Sequence, residues 1–385
     1  MDVAKNHLNN FMARGADLAT GNKLSSIMSK IVMILLIVLT LFWFINKLTL
    51  KNRNCSSING IYKDTKNTLH SILESNVDTY SLRDYYIKTA YNCCATGQFK
   101  NDYVDACALK NAISQGARCL DFEIYTVNDE PVVATSSVLD RTIKETYNSM
   151  NFSDVLTIII NNAFSSGGCA NSKDPLLLHF RMKTDIEATY NKMAKIIKEK
   201  IEPSGRLLDK KYSYEFAGEH GSQNLGKEQI CNFLEKVIII VNKSDSNVVL
   251  ENTELDEFTN LCSGEVFMRA LNNHDVQYAS NIEDLKVYNK TSMTICMPDL
   301  SSSNSNINSS IAMSLGCQMV GMNFPNFDSN LEHYSYIFDK EGHAFVLKPA
   351  RLRPTIVTIQ PTELPPDANS YKPRVTTAFG LSYQV

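Results

Sequence analysis

A chain of 385 residues, 44% hydrophobic and 21% charged, carries enough apolar surface for one large domain or two ordinary ones. A formal net charge of -3 and the lack of a dense lysine or arginine face argue against nucleic acid as the main partner, because phosphate neutralisation supplies most of that affinity. Ten cysteines show no C-x-x-C pair and no zinc-module spacing, which argues against a thiolate metal site; they are expected to be mostly buried small apolar residues, with Cys55 standing apart from that expectation.

Residues 1–30 read as a polar tail carrying Lys5, Arg14 and Lys23, its first 26 residues expected to be mobile. Ile31 to Leu50 then gives 20 residues with one charge, Lys47, near the end where it can snorkel. This is the pattern of a single transmembrane helix, with Trp43 as interfacial anchor. A cleaved signal peptide is the competing reading, and the length, late start and missing A-x-A-like exit argue against it. Lys23 and Lys30 precede the run and Lys47, Lys51 and Arg53 close it, so the charge rule leaves orientation open. Residues 51–84 read as a connector.

Strand-like and helix-like segments alternate from there to about residue 350, the pattern of an α/β fold. Tyr85 to Ala90 reads as a strand, and Asp102 to Gln115 as a helix ended by Gly116, with Val104, Ala108, Leu109, Ala112 and Ile113 apolar. In the strand-like stretch Gly116 to Tyr125, period-two alternation puts Cys119, Asp121 and Glu123 on one face and Leu120, Phe122 and Ile124 on the other. Two acids side by side on a strand need a cation or a shared proton. Glu130 to Thr135 and Pro175 to Arg181 are two more apolar runs, the second placing His179 and Arg181 on one face. Asp154 to Phe164 and Thr184 to Ile201 read as helices, the latter opened by a capping box from Thr184 to Glu187. Lys236 to Asn242, Thr294 to Met297, Met319 to Asn323 and Phe345 to Lys348 complete the strands. Residues 299–310 form a polar loop with no packing capacity, and prolines beyond Arg353 predict an extended arm over 354–385.

Other candidate chemistry is sparse. Gly221 to Lys227 lacks the serine or threonine of a P-loop, has no strand before it, and reads as a loop. His220 reads as a loop residue, and His274, His333 and His343 show no partner pattern. Sequons at Asn54, Asn151, Asn242, Asn289 and Asn308 are compatible with a lumenal or outer domain, although chance accounts for most of them in so Asn- and Ser-rich a chain.

From Gly316 to Phe324 the chain reads GCQMVGMNF, and from Phe345 to Arg353 FVLKPARLR. With Gln115 to Glu123 (QGARCLDFE) and Glu130-Pro131-Val132-Val133, these stretches resemble the phosphatidylinositol-specific phospholipase C family over roughly residues 85–353. The resemblance implies a distorted TIM (β/α)8 barrel, with an X-like half over 85–201 and a Y-like half over 236–353. In that family one histidine stabilises the phosphoryl oxyanion, a second is the general acid, and calcium on oxygen ligands activates the inositol 2-hydroxyl. Carried over residue by residue, the first histidine falls on Tyr91, beside the retained asparagine Asn92, and the second falls on Thr135. The Glu-x-Asp calcium ligands become Asp121 and Glu123 with lengths exchanged, and the last calcium-ligating glutamate falls on Arg181. Lys243 matches a phosphate-binding lysine, whereas the stretch after Pro298 lacks the arginine that grips an inositol phosphate.

The resemblance, joined to the apolar run Ile31 to Leu50, therefore implies a membrane-anchored barrel without acid, base or, by the same reasoning, calcium; Asn92, Asp121 and Glu123 would be the ligands if calcium were retained. The expected role is a binding or assembly module. A lipid headgroup or partner protein would sit at the barrel mouth, and the setting would be a membrane such as the envelope of a membrane-containing virus particle, with which a chain rich in Asn, Ser, Ile and Lys is compatible. The alternative is an active phosphodiesterase with Arg181 in place of calcium and His179 as acid or base.

Overall fold

The computed structural model describes residues 2–384 apart from 64–67, 75–77, 139–141, 214–223, 243–245 and 356–372. The first element, α1 (Asp2–Tyr62), is one continuous helix. The polar tail and connector expected on either side of the apolar run are therefore helical in their described parts, up to Tyr62. Apart from Met12, its exposed large apolar residues among those described run from Ile27 to Leu48, and the helix from Ser25 onward is long and apolar enough to cross a membrane.

The barrel starts with β1 (Tyr85–Ala90), α2 (Ala106–Ser114), β2 (Cys119–Val127) and β3 (Glu130–Ala134). Asp105 caps α2 by accepting from the Cys107 amide, so the helix starts later than its apolar pattern suggests. Next come β4 (Met150–Asn151), α3 (Phe152–Ala163), β5 (Leu176–Met182), α4 (Glu187–Lys200), β6 (Val237–Asn242), β7 (Leu261–Ser263) and β8 (Met268–Asn272). The capping box expected at Thr184 is not formed. Ile186 is the N-cap of α4, while the Thr184 hydroxyl pairs with that of Thr126 at 2.7 Å, tying the loop after β5 to β2. The second half runs α5 (Asn273–Gln277), α6 (Ile282–Thr291), β9 (Met293–Met297), α7 (Ser309–Ser314), β10 (Met319–Met322), α8 (Ser329–Glu341) and β11 (Phe345–Leu347).

Along the order β7-β6-β5-β2-β1-β10-β9-β8, every hydrogen-bonded pair is parallel. These strands make a nearly closed TIM barrel, left unpaired as a ladder between β7 and β8. β3 turns back antiparallel on the extended end of β2, and β11 pairs antiparallel with the start of β1, so neither is a barrel strand. Register sets Asp121 beside His179 and Glu123 beside Arg181. The alternate residues Phe122 and Phe180 face outward onto α3, where the Phe152 and Phe180 rings lie 5.2 Å apart edge to face. Period two thus puts the apolar set under the helices and the charged set in the barrel interior.

The loop over 299–310 does pack, contrary to the expectation from its composition. Asn306 is buried; its amide nitrogen donates to the Asn323 and Asn326 carbonyls (3.3 and 2.7 Å) and its Oδ1 accepts from the Asn323 amide at 2.6 Å. Asparagine side chains here replace the apolar contacts the sequence lacks. All the described free cysteines except Cys231 are buried, and Cys55 forms a disulfide with Cys107. The sequons at Asn242 and Asn289 lie on buried residues. Residues 354–385 form a second unit, in which β12 (Val375–Ala378) and β13 (Leu381–Gln384) pair as an exposed antiparallel hairpin rather than an extended arm. The proline stretch before it lies outside the described residues.

Candidate functional site

The interior of the barrel near the strand ends holds one connected polar cluster, centred on Arg181. The residue is buried, 4% exposed, and every guanidinium nitrogen is used. Nε donates to Asp121 Oδ1 (3.0 Å) and Oδ2 (3.2 Å), Nη1 to Glu123 Oε1 (2.7 Å), and Nη2 to Asp121 Oδ2 and Asn92 Oδ1, both at 2.8 Å. The plane lies against the Tyr91 ring, with Cζ 4.5 Å from the ring centroid. A planar fork suits this role where a lysine would not, since two carboxylates and one amide must be met at once.

The carboxylates are saturated from the other side. Asp121 Oδ1 also meets His179 Nδ1 at 2.7 Å, and its Oδ2 accepts the Asn92 amide at 3.1 Å. Glu123 Oε2 accepts from the Tyr125 hydroxyl (2.7 Å) and the Ser136 amide (2.9 Å). Asn92 holds a left-handed backbone, φ 44°, which asparagine tolerates well and which lets both its amide and its side chain turn into the site. His179 has its second nitrogen, Nε2, 2.8 Å from Ser263 Oγ and no exposed surface.

Electrostatics follow from this wiring. Burial alone would raise the Asp121 carboxyl, but the Arg181 charge and the His179 hydrogen bond outweigh it and hold the group well below the usual carboxylate range. For Arg181, burial works against the charge, while Asp121, Tyr91 and Glu123 more than offset it and raise its pKa further. Burial pushes the Tyr91 phenol well above its ordinary value against the pull of Arg181, so Tyr91 stays protonated at neutral pH and offers no base.

The structure thus brings together Tyr91, Asn92, Asp121, Glu123, His179 and Arg181. It does not join Thr135 to them, because the Thr135 hydroxyl donates to the Phe99 carbonyl at 3.0 Å. Lys243 lies outside the described residues. Sequence reading missed Tyr125 and Ser263. Tyr125 continues the face of Cys119, Asp121 and Glu123 by the same alternation, so its signal was present; Ser263 ends a three-residue strand that no pattern marks.

These residues do not fit calcium. The cation needs six or more open oxygen ligands, whereas both oxygens of Asp121, both of Glu123 and Oδ1 of Asn92 already accept protein donors, and a guanidinium stands among them.

Two family models match, the X domain of phosphatidylinositol-specific phospholipase C over residues 79–211 and its Y domain over 236–351. The chain belongs to the phosphatidylinositol-specific phospholipase C family. Among solved structures it is similar to PLC21 of S. officinalis, at 19% identity and TM-score 0.58, covering 73% of this chain and 38% of that one. PLC21 of L. pealei is similar at 18% identity and TM-score 0.56, covering 73% of this chain and 39% of that one. The phospholipase C-like chain thus spans about two fifths of the length of those proteins, and at such identity the likeness carries the fold. A search among curated proteins finds no match.

Proposed function

We propose that this phospholipase C-like protein is a membrane-anchored barrel that no longer hydrolyses lipid and acts as a binding or assembly module. The observation that carries the reading is Arg181, which stands at the position of a calcium-ligating glutamate and ties up Asp121, Glu123 and Asn92. With Tyr91 and Thr135 at the histidine positions, neither an acid nor a base is aimed at a substrate, and proton transfer is what that reaction needs. The apolar part of α1 supports the anchor. A lipid headgroup or a partner protein at the mouth is the ligand proposed for it, a reading that the apolar helix and the barrel support, and the membrane of an enveloped particle is the setting proposed.

The alternative, a phosphodiesterase with Arg181 as electrophile and His179 as acid or base, has one observation in its favour: Asp121, His179 and Ser263 are linked in a line by hydrogen bonds of 2.7 and 2.8 Å. Against it, His179 and Ser263 are fully buried and both imidazole nitrogens are engaged. The deciding experiment is turnover of phosphatidylinositol and its phosphorylated forms by the full chain in mixed micelles, with and without calcium, beside a His179→Ala variant. Turnover lost in that variant would overturn the inactive reading; absence of turnover from a folded protein supports it.

A further inference from the structure

Among the described residues, β12 and β13 form a two-stranded sheet that pairs with no other strand. A lone hairpin is marginally stable in water, and a third strand or a packed face is needed to hold one. This hairpin is apolar as well as unsupported: Val375, Phe379, Leu381 and Tyr383 are 70%, 103%, 61% and 46% exposed. The register pairs Thr376 with Tyr383 and Ala378 with Leu381, so period two gathers those four on one face. Val375, Thr377, Ser382 and Gln384 take the other. The first face therefore carries a leucine next to the turn and a tyrosine nearer the base.

The turn is Phe379-Gly380, and both residues are left-handed, with φ 55° and 75°. Asparagine, aspartate or glycine is the ordinary choice at the first position of such a two-residue turn, because a bulky side chain is strained there. Phe379 takes that position with its ring wholly in water, beyond the ends of both strands. Charge follows the same pattern. No side chain from Val375 to Gln384 is charged, and between Asp367 and Gln384 the only charged residues are Lys372 and Arg374, both basic, in a chain of net charge -3. An uncharged, aromatic-tipped hairpin with basic residues before its base has the chemistry of a bilayer interface: apolar side chains enter the acyl boundary, tyrosine suits the headgroup level, and lysine and arginine meet anionic lipid. A second copy of the chain would complete the sheet along the strand edges and leave Phe379 in water. A bilayer met end-on covers the tip and Leu381 together.

We propose that the β12–β13 hairpin is a lipid-inserting element, which places Phe379 and Leu381 in the interface of an anionic bilayer with Arg374 at the headgroups. The inference goes beyond the reading of the barrel and does not depend on it, since the hairpin lies outside the barrel unit and its ligand is a membrane surface whether or not the mouth binds a headgroup or a protein.

The test uses the full chain, whose single tryptophan is Trp43. In a Trp43→Phe background, Phe379→Trp reports the hairpin tip, and Tyr336→Trp, at a position 61% exposed on α8, reports the barrel surface. Each protein is reconstituted into phosphatidylcholine vesicles, with and without phosphatidylserine, whose acyl chains are brominated near the headgroup. The expected result is a blue-shifted emission from the Phe379→Trp reporter, quenched several-fold more than that of the Tyr336→Trp reporter and more strongly with phosphatidylserine, and an excess that is lost when Leu381→Asp is added. A Phe379→Trp reporter that emits as in water and is quenched no more than the Tyr336→Trp one overturns the proposal. So does a blue-shifted emission that brominated lipid leaves unquenched, which would put the tip against protein, either a second copy of the chain or a partner. Quenching of Trp43 in the wild-type chain, read in the same vesicles, tests the anchor of α1 separately, so that failure of the anchor and failure of the hairpin are told apart.

Discussion

Replacing Arg181 by methionine tests the reasoning about the cluster most directly. The substitution keeps a long apolar stem and removes the guanidinium, leaving Asp121 and Glu123 as buried carboxylates without a cation. Breaking a buried pair by removing one partner costs about 3–5 kcal/mol. Here one guanidinium serves two fully buried carboxylates, which puts the expected loss toward the upper end of that range. A domain of 150–250 residues loses about 2–4 °C of melting temperature per kcal/mol, and the larger unit here falls at the lower end, so the drop is roughly 10 °C. The pH dependence carries a sign that a cavity alone would not give. In wild type, Asp121 has a depressed folded pKa, so its contribution is present above its unfolded pKa of about 4 and is lost as pH falls through the lower folded value. In Arg181→Met the unpaired carboxylates have raised folded pKa values, so their penalty is greatest at neutral pH and is relieved as pH falls. Thermal unfolding by circular dichroism at pH 7 and pH 5 therefore shows the gap between variant and wild type narrowing on acidification. Adding Asp121→Asn and Glu123→Gln to Arg181→Met recovers most of the loss at pH 7. A variant as stable as wild type, or a gap independent of pH, would refute the assignment of Arg181 as the resident cation.

Three further outcomes follow from separate parts of the molecule. Reduction of the Cys55–Cys107 bond, which closes a separation of 52 residues, removes up to about 4 kcal/mol by the loop-closure model, and a melt with and without reductant reads it. Asn306→Ala leaves the Asn323 and Asn326 carbonyls short of a donor and the Asn323 amide short of an acceptor; it costs about 1–3 kcal/mol, with faster hydrogen exchange confined to the loop over 299–310. Tyr91→His, Thr135→His and Arg181→Glu combined restore the family's residue types at three positions, and calcium then raises the melting temperature of the combined variant while leaving wild type unmoved.

Much of the barrel was legible because burial on both sides of a parallel sheet writes apolar runs such as Val237 to Val241 directly into the sequence. The face shared by Asp121 and Glu123, and that shared by His179 and Arg181, followed from alternation; that the two faces meet is a matter of register between β2 and β5, which no local pattern encodes. Thr184 shows the limit of short motifs: its spacing to Glu187 fits a capping box, yet a tertiary hydrogen bond to Thr126 takes the hydroxyl instead. The fate of residues 51–62 was hidden for a related reason. Their composition is polar because one side faces water, and only the partners on α2 disclose that the other side is docked.

The departures from the family pattern at this site are better understood as one exchange than as separate losses. The family set implied by the resemblance places three carboxylates around a divalent cation, a sum of -1. Here Asp121 and Glu123 with the Arg181 guanidinium sum to -1 as well, since turning one acid into an arginine removes a negative charge and supplies the cation in the same step. Charge balance in a buried volume is costly to violate, so Arg181 can replace metal and ligand together where an alanine at that position would leave two carboxylates bare. Once the cation is part of the chain, Tyr91 becomes a favourable neighbour, because its ring face accepts the guanidinium where a protonated histidine would repel it. The same wiring that stabilises the interior then withholds every oxygen a catalytic metal would need, so the stability of the cluster and its lack of open metal ligands have one physical cause.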